Sequence, residues 1–211
     1  MNAQANGGNI TVLLQDVVLS YAYLFQPLIG RNDKGQETRN FCTHAIMTPN
    51  HPGIALVKEA QRKAAQAKWG DQWQAVLNQL GLQHRVALHD GALKGGEGYE
   101  GNFFVSANSK VKPRILVTRN GANVEIAEND PCAPYSGCRA NVIVDIWPQQ
   151  HPQFGKRINA QLTGVQFVAH GKRFGGGRVA KLDEFGINPV DADGAVPGGL
   201  AQPTDSGSSL V

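Results

Sequence analysis

The chain has 211 residues, 41% of them hydrophobic, with 25 glycines, 11 prolines and a formal net charge of +3. That length suits one domain with a tail, and the glycine and proline content argues for short strands and many turns against a helical bundle. No stretch approaches the ~18 apolar residues of a membrane span, and the N-terminus has neither a positive cluster nor an apolar run, so a soluble, cytosolic protein without a membrane partner is expected. Cys42, Cys132 and Cys138 are odd in number, which argues against a disulfide framework and for free thiols.

Residues 1–8 are expected to be flexible and residues 9–186 to form one mainly β domain. Residues 16–25 alternate, with Val17, Leu19, Tyr21, Tyr23 and Phe25 on one side of a strand that Pro27 ends. A polar turn over 30–38 leads to a second strand at 40–48, and the two pair as a long hairpin. Pro52 then opens a helix running to about Trp69, with Ile54, Val57, Ala60 and Ala64 on one stripe. A second helix is punctuated by Asp71 as N-cap and Gly81 as stop, with Trp73, Val76, Leu77 and Leu80 as its apolar face. The helices make one insertion of about 52–81. A glycine-rich loop is expected over 84–100, strands over 103–107 and 114–119, and a hairpin at Asn120-Gly121 returning over 122–126. After a loop at 128–136 come the two longest strands, 138–147 and 157–170, separated by a Pro, Gln and His loop. Residues 187–211 are too rich in Asp, Gly, Pro, Ser and Ala to order themselves and read as a disordered acidic tail.

Charge is divided along the chain. Residues 103–181 hold eleven Lys and Arg against four acids, whereas residues 182–211 hold five acids and no Lys or Arg. A basic body attracts a polyanion, and a tethered acidic segment competes for the same surface. In 138–147 one face is Cys138, Ala140, Val142, Val144 and Ile146, and the other carries Arg139, Asn141, Ile143, Asp145 and Trp147. In 157–170 the apolar positions Ile158, Ala160 and Leu162 switch parity to Val165, Phe167 and Ala169, which places a β-bulge at Gly164. The solvent face would then carry Arg157, Asn159 and Gln161 beside Arg139 and Asn141, with Lys172, Arg173, Phe174 and Arg178 in the flexible loop that follows. Cations that track phosphates beside aromatics that stack on bases are the means by which single strands are held. A five-stranded barrel with basic loops is the oligonucleotide-binding (OB) architecture.

Several segments together resemble a known family. They are Leu19-Ser20-Tyr21-Ala22-Tyr23-Leu24-Phe25-Gln26-Pro27, His89-Asp90-Gly91, and Gly101-Asn102-Phe103-Phe104-Val105-Ser106-Ala107-Asn108-Ser109-Lys110 with Lys112-Pro113. Tyr135-Ser136-Gly137-Cys138-Arg139-Ala140 and Gly164-Val165-Gln166 followed by Gly171 complete the set. Their order and spacing are similar to those of the phage and prophage single-stranded-DNA-binding proteins with an OB fold, once known only as a domain of unknown function. The resemblance implies sequence-tolerant binding of single-stranded DNA in phage replication or recombination, in the cytoplasm of the bacterial host, and no catalysis. Replication or recombination proteins are the implied protein partners, and a homodimer is left open. The chain departs from many replication binding proteins in ending Ser-Ser-Leu-Val, without an aromatic-capped acidic tip.

The candidate nucleic-acid-binding residues are Lys94, Tyr99, Phe103, Lys110, Lys112, Arg139, Asn141, Trp147, Arg157, Asn159, Gln161, Lys172, Arg173, Phe174 and Arg178. No cofactor and no metal is expected. Gly171-Lys172-Arg173 lacks the spacing and the Ser/Thr of a phosphate loop. Cys42, His44, Cys132 and Cys138 do not have the short spacings of a zinc knuckle. Asp16, Asp90, Asp130 and Asp145 are too scattered for the metal cluster of a nuclease. A phage metal-dependent nuclease or a strand-annealing factor stands as the alternative reading.

Overall fold

Period-two apolar patterning builds five strands that close on one another, and local slips in the strands decide which side chains face out. The structure, a computed structural model, describes residues 4–6, 9–32 and 35–175; the expected acidic tail 187–211 and Arg178 lie outside the described residues. Strand β1 (Gln4–Asn6) pairs with β2 (Asn9–Arg31), so part of the segment expected to be flexible is placed in the sheet. β3 (Glu37–Met47), β5 (Phe103–Ser109), β8 (Arg139–His151) and β9 (Gly155–Ala169) complete the barrel. The antiparallel order β5-β3-β2-β8-β9 is closed by a short parallel pairing of β5 with β9, at Ala107↔Ala160 and Asn108↔Gln161. β4 (Leu88–Asp90) adds to the free edge of β5, and the hairpin of β6 (Arg114–Arg119) and β7 (Ala122–Glu125) continues from β9. This is the five-stranded closed barrel expected from the strand pattern.

The interior is filled by Leu14, Leu19, Val105, Val142, Val144 and Leu162, each almost wholly removed from water. Helix α1 (Pro52–Trp69) begins with Pro at its first turn and an N-cap from the His51 side chain to Gly53 N, and it adds Val57, Ala60, Ala64 and Ala65 to the same core. Small residues on that stripe let the helix axis approach the barrel. The second helix differs from its expected start and stop. Gly70–Gln72 forms a single 3-10 turn and α2 runs over Trp73–Leu82, with no side-chain cap from Asp71 and with Gly81 inside the helix. The glycine-rich stretch expected as a loop contains β4 and a 3-10 turn, Gly91–Leu93, capped by the Asp90 carboxylate on Ala92 N. The loop expected between the two long strands shrinks to a turn, because β8 and β9 stay paired out to His151↔Gly155.

The parity switch in β9 is real. Ile143 faces Gly164 and Val144 faces Leu162, so Thr163 is the extra residue, and its hydroxyl donates to the Ile143 carbonyl. β2 has comparable irregularities that lack a glycine. Asp16 (φ 56) and Tyr21 (φ 51) both adopt left-handed backbone. The buried series therefore runs Ile10, Val12, Leu14, then Val17 and Leu19, then Leu24. Val17, Leu19, Tyr21, Tyr23 and Phe25 do not share one face: the first two are core, and the tyrosines are outside.

Candidate nucleic-acid interface

The left-handed turn at Tyr21 rotates β2 so that Tyr21 (44% exposed) and Tyr23 (39% exposed) point outward while Leu19 and Leu24 hold the strand in the core. Tyrosine suits this position, since its ring presents a flat apolar surface and its hydroxyl stays wet. A second wall is built by the turn before β8 and the segment after β9. Gly137 (φ 104) donates its N–H to the Leu19 carbonyl at 2.7 Å, Ala22 N donates to Ser136 Oγ at 3.1 Å, and Phe174 N donates to the Ser136 carbonyl at 3.0 Å. A Cβ on Gly137 would overlap the Lys172 carbonyl, so glycine is what lets the two segments lie against each other. The third wall is the stretch from Gly95 to Tyr99, held from below by Gly91, where a Cβ would overlap the Tyr99 carbonyl.

These walls enclose a groove of about 610 Å³ lined by Tyr21, Tyr23, Tyr99 and Phe174. It adjoins a second recess of about 380 Å³ that shares Ala22, Tyr23 and Ser136 and adds Phe25, Tyr135 and Arg173. Three cations stand over rings along this path. Lys94 Nζ is 4.8 Å from the Tyr21 centroid, Lys112 Nζ is 5.4 Å from that of Phe25, and Arg173 Cζ is 3.8 Å from that of Tyr135. No carboxylate pairs with any of the three among the described residues; the ion pairs present belong to other cations. Lys172 is instead engaged by Glu97 at 2.6 Å.

Behind Tyr21 a row of rings crosses the sheet. Tyr21 to His44, His44 to Phe104 and Phe104 to His89 are separated by 4.9, 4.9 and 5.0 Å between centroids. His44 Nδ1 lies 2.6 Å from the Tyr99 hydroxyl. Burial, and then the charges of Lys94 and His89, lower the His44 imidazole to about 4, and burial raises the Tyr99 phenol. At neutral pH the row is therefore uncharged, with Lys94 standing over Tyr21 at its groove end.

The sequence-derived candidates divide into groups. Lys94, Lys112, Arg173 and Phe174 meet at the groove, with Lys172 at its rim. Lys110 is exposed in the short connection after β5. Tyr99 lies beneath the groove surface at 3% exposure, supporting His44 and Phe104. Phe103 packs towards the helices and the main core, and it is Phe104, its neighbour of opposite parity, that joins the ring row. Arg139, Asn141, Trp147 and Gln161 lie on the outer face of β8 and β9, whose polar groups largely satisfy one another. Arg139 pairs with Asp16, Asn141 donates to Gln166, and Gln166 donates to Thr118 and Asn123. Arg157 and Asn159 sit at the β5–β9 seam. Tyr21, Tyr23 and Tyr135 were not among the candidates: alternation puts Tyr21 and Tyr23 on the same strand face as Val17 and Leu19, and Tyr135, ahead of β8, has no periodicity to mark it.

Among the described residues, no group of three or more His, Cys, Asp or Glu side chains is placed to hold a metal ion, and the three cysteines are free. No helix there is long and apolar enough to cross a membrane.

Residues 10–195 match the family model described as the ssDNA-binding protein of Enterobacter phage Enc34. The chain belongs to this family. A relative within reach of direct comparison is protein p50 of Acyrthosiphon pisum secondary endosymbiont phage 1, 29% identical over 177 residues, which covers 82% of this chain and 91% of p50. Among solved structures, the single-stranded DNA-binding protein from bacteriophage Enc34 superposes with a TM-score of 0.60 at 20% identity, covering 86% of this chain and 96% of that one. The same Enc34 protein in complex with ssDNA gives a TM-score of 0.60 over 82% of this chain and 97% of that one. A similar fold is found in gp2.5, a single-stranded DNA-binding protein encoded by bacteriophage T7, with a TM-score of 0.53 at 14% identity, covering 87% of this chain and 99% of that one.

Proposed function

We propose that this chain binds single-stranded DNA with little sequence preference, along the groove of Tyr21, Tyr23, Tyr135 and Phe174, and coats and protects strands during phage replication or recombination in the host cytoplasm. The observation that carries this reading is the set of three unpaired cations, Lys94, Lys112 and Arg173, each standing over a ring along one continuous path. Cations contact phosphates whatever the sequence, and every base has a face to stack, so this combination binds strands without reading them. Family membership and the Enc34 complex with ssDNA support it. The role proposed is binding without catalysis; a metal-dependent nuclease would need clustered carboxylates, and none is placed to hold a metal ion among the described residues. Phage replication and recombination proteins are the partners such a role implies.

The test is a titration of a labelled oligo-dT across a range of salt, with and without magnesium. The log–log slope of affinity on salt is expected near −0.7 per phosphate contacted. A salt-independent affinity would overturn the reading, and shortening of the oligonucleotide in magnesium would favour the nuclease alternative.

A further inference from the structure

The parallel pairing that closes the barrel is short, and beside it β5 and β9 diverge. The gap is bridged by the segment before β4, where Ile158 N donates to the Arg85 carbonyl at 2.9 Å. A recess of about 190 Å³ results, lined by Arg85, Arg157, His89, Ser106, Asn108 and Asn159, and no Asp or Glu lines it. Neither arginine has an ion pair among the described residues. Arg157 Nε is out of contact with solvent and has no hydrogen-bond partner among them. A guanidinium N–H held in that state costs stability unless an acceptor reaches it.

The recess is also tied to the groove. His89, on its wall, is the last ring of the row that begins at Tyr21. From β2 through β3 and β5 to β9 is three strand spacings, or about 14 Å. That distance is short beside the ~4–16 nucleotides an OB fold occupies.

We infer that the recess at the β5–β9 seam is a phosphate site, in which Arg85 and Arg157 form a forked clamp on one phosphate group and Ser106 and Asn108 complete its donors. The shared chemistry is a tetrahedral oxyanion with bidentate demand, which guanidinium meets better than ammonium. The site takes a phosphodiester of a strand that has crossed the ring row from the groove, an assignment that rests on the DNA-binding reading above.

The experiment follows the Arg157 Nε–H resonance in the nitrogen-15-labelled full chain on addition of an oligo-dT of about 20 nucleotides, and separately of inorganic phosphate. The signal is expected to shift with DNA. In parallel, Arg85→Gln with Arg157→Gln should bind the same oligonucleotide about tenfold more weakly, with the salt slope less negative by about 0.7 for the lost contact. Without DNA, Arg157→Gln should melt at the wild-type temperature or above, because it removes a buried unsatisfied donor. Wild-type binding with an unmoved Arg157 signal and an unchanged slope in the double variant overturns the phosphate site while leaving the DNA reading intact. A lower melting temperature for Arg157→Gln together with an unmoved signal identifies a structural arginine and also overturns it. A shift with inorganic phosphate but none with DNA keeps the phosphate site and assigns it to free anions, and failure of the wild type to bind DNA at all sinks the reading on which the strand assignment rests.

Discussion

Tyr21 and Tyr23 owe their exposure to one backbone torsion, and this makes them separable from the core in an experiment. Their side chains lie outside the barrel core, so Tyr21→Ala and Tyr23→Ala should each weaken oligo-dT binding by about 1–3 kcal/mol, the range for one stacked base, with a smaller loss of melting temperature than a core truncation causes. Loss of folding in both variants without a specific loss of affinity would assign them to the core. His44, one ring further in, gives a pH signature. Its folded-state value of about 4 lies below the ordinary 6.5, so the folded protein binds fewer protons than the unfolded chain between these limits. The stability from keeping His44 neutral is thus fully present above about pH 6.5 and is lost as pH falls towards 4. In a melting series from pH 8 to pH 4, the wild type should lose more stability than His44→Phe, which keeps a ring in the row and has nothing to titrate. Parallel curves for the two proteins would remove His44 as the cause.

At the level of strands, two irregularities of the same kind were unequally legible. The slip in β9 shows in the sequence because apolar parity changes across a glycine, Leu162 to Val165 around Gly164. The turn at Tyr21 does not show, because Val17, Leu19, Tyr21, Tyr23 and Phe25 alternate without a break and tyrosine is a good strand former. The left-handed torsion and the register against β3, shifted between Ser20 and Tyr23, reveal it. Adjacent strand residues such as Phe103 and Phe104 must face opposite ways, but alternation cannot say which side holds the helices. Helix α1 was legible from Pro52 to about Trp69, whereas Asp71 offered a cap that the 3-10 turn does not use. The groove depends equally on backbone fit between elements. Gly137→Ala would force the segment of Lys172 away from the turn before β8 and with it Arg173 and Phe174. The expected outcome is a loss of DNA affinity exceeding that of Arg173→Ala, measured with the far-ultraviolet spectrum unchanged. Full affinity in Gly137→Ala would show that this wall is dispensable.

For the molecule as a whole, the excess of positive charge pointed to a polyanion, and alternation put its face on the outside of β8 and β9, where Arg139 and Asn141 are engaged by other residues of the chain. Acids distant in sequence come back to neutralise particular cations: Asp16 takes Arg139, Glu97 takes Lys172, and Asp130 takes Arg119. What is left unpaired, rather than what is merely basic, marks the candidate interface, and only the fold makes that subtraction. The order of strands has a consequence for synthesis as well. Thr11 and Asp145, hydrogen-bonded across β2 and β8, are 134 positions apart, and the groove joins Tyr21 of β2 to Phe174 beyond β9. Local pieces such as the β2–β3 hairpin and α1 have their partners close in sequence, but the long-range closure must be completed before it repays its entropy. A growing chain therefore exposes its tyrosines early and acquires the opposing wall last, so an unfinished copy has half a groove and cannot compete with finished copies for a strand.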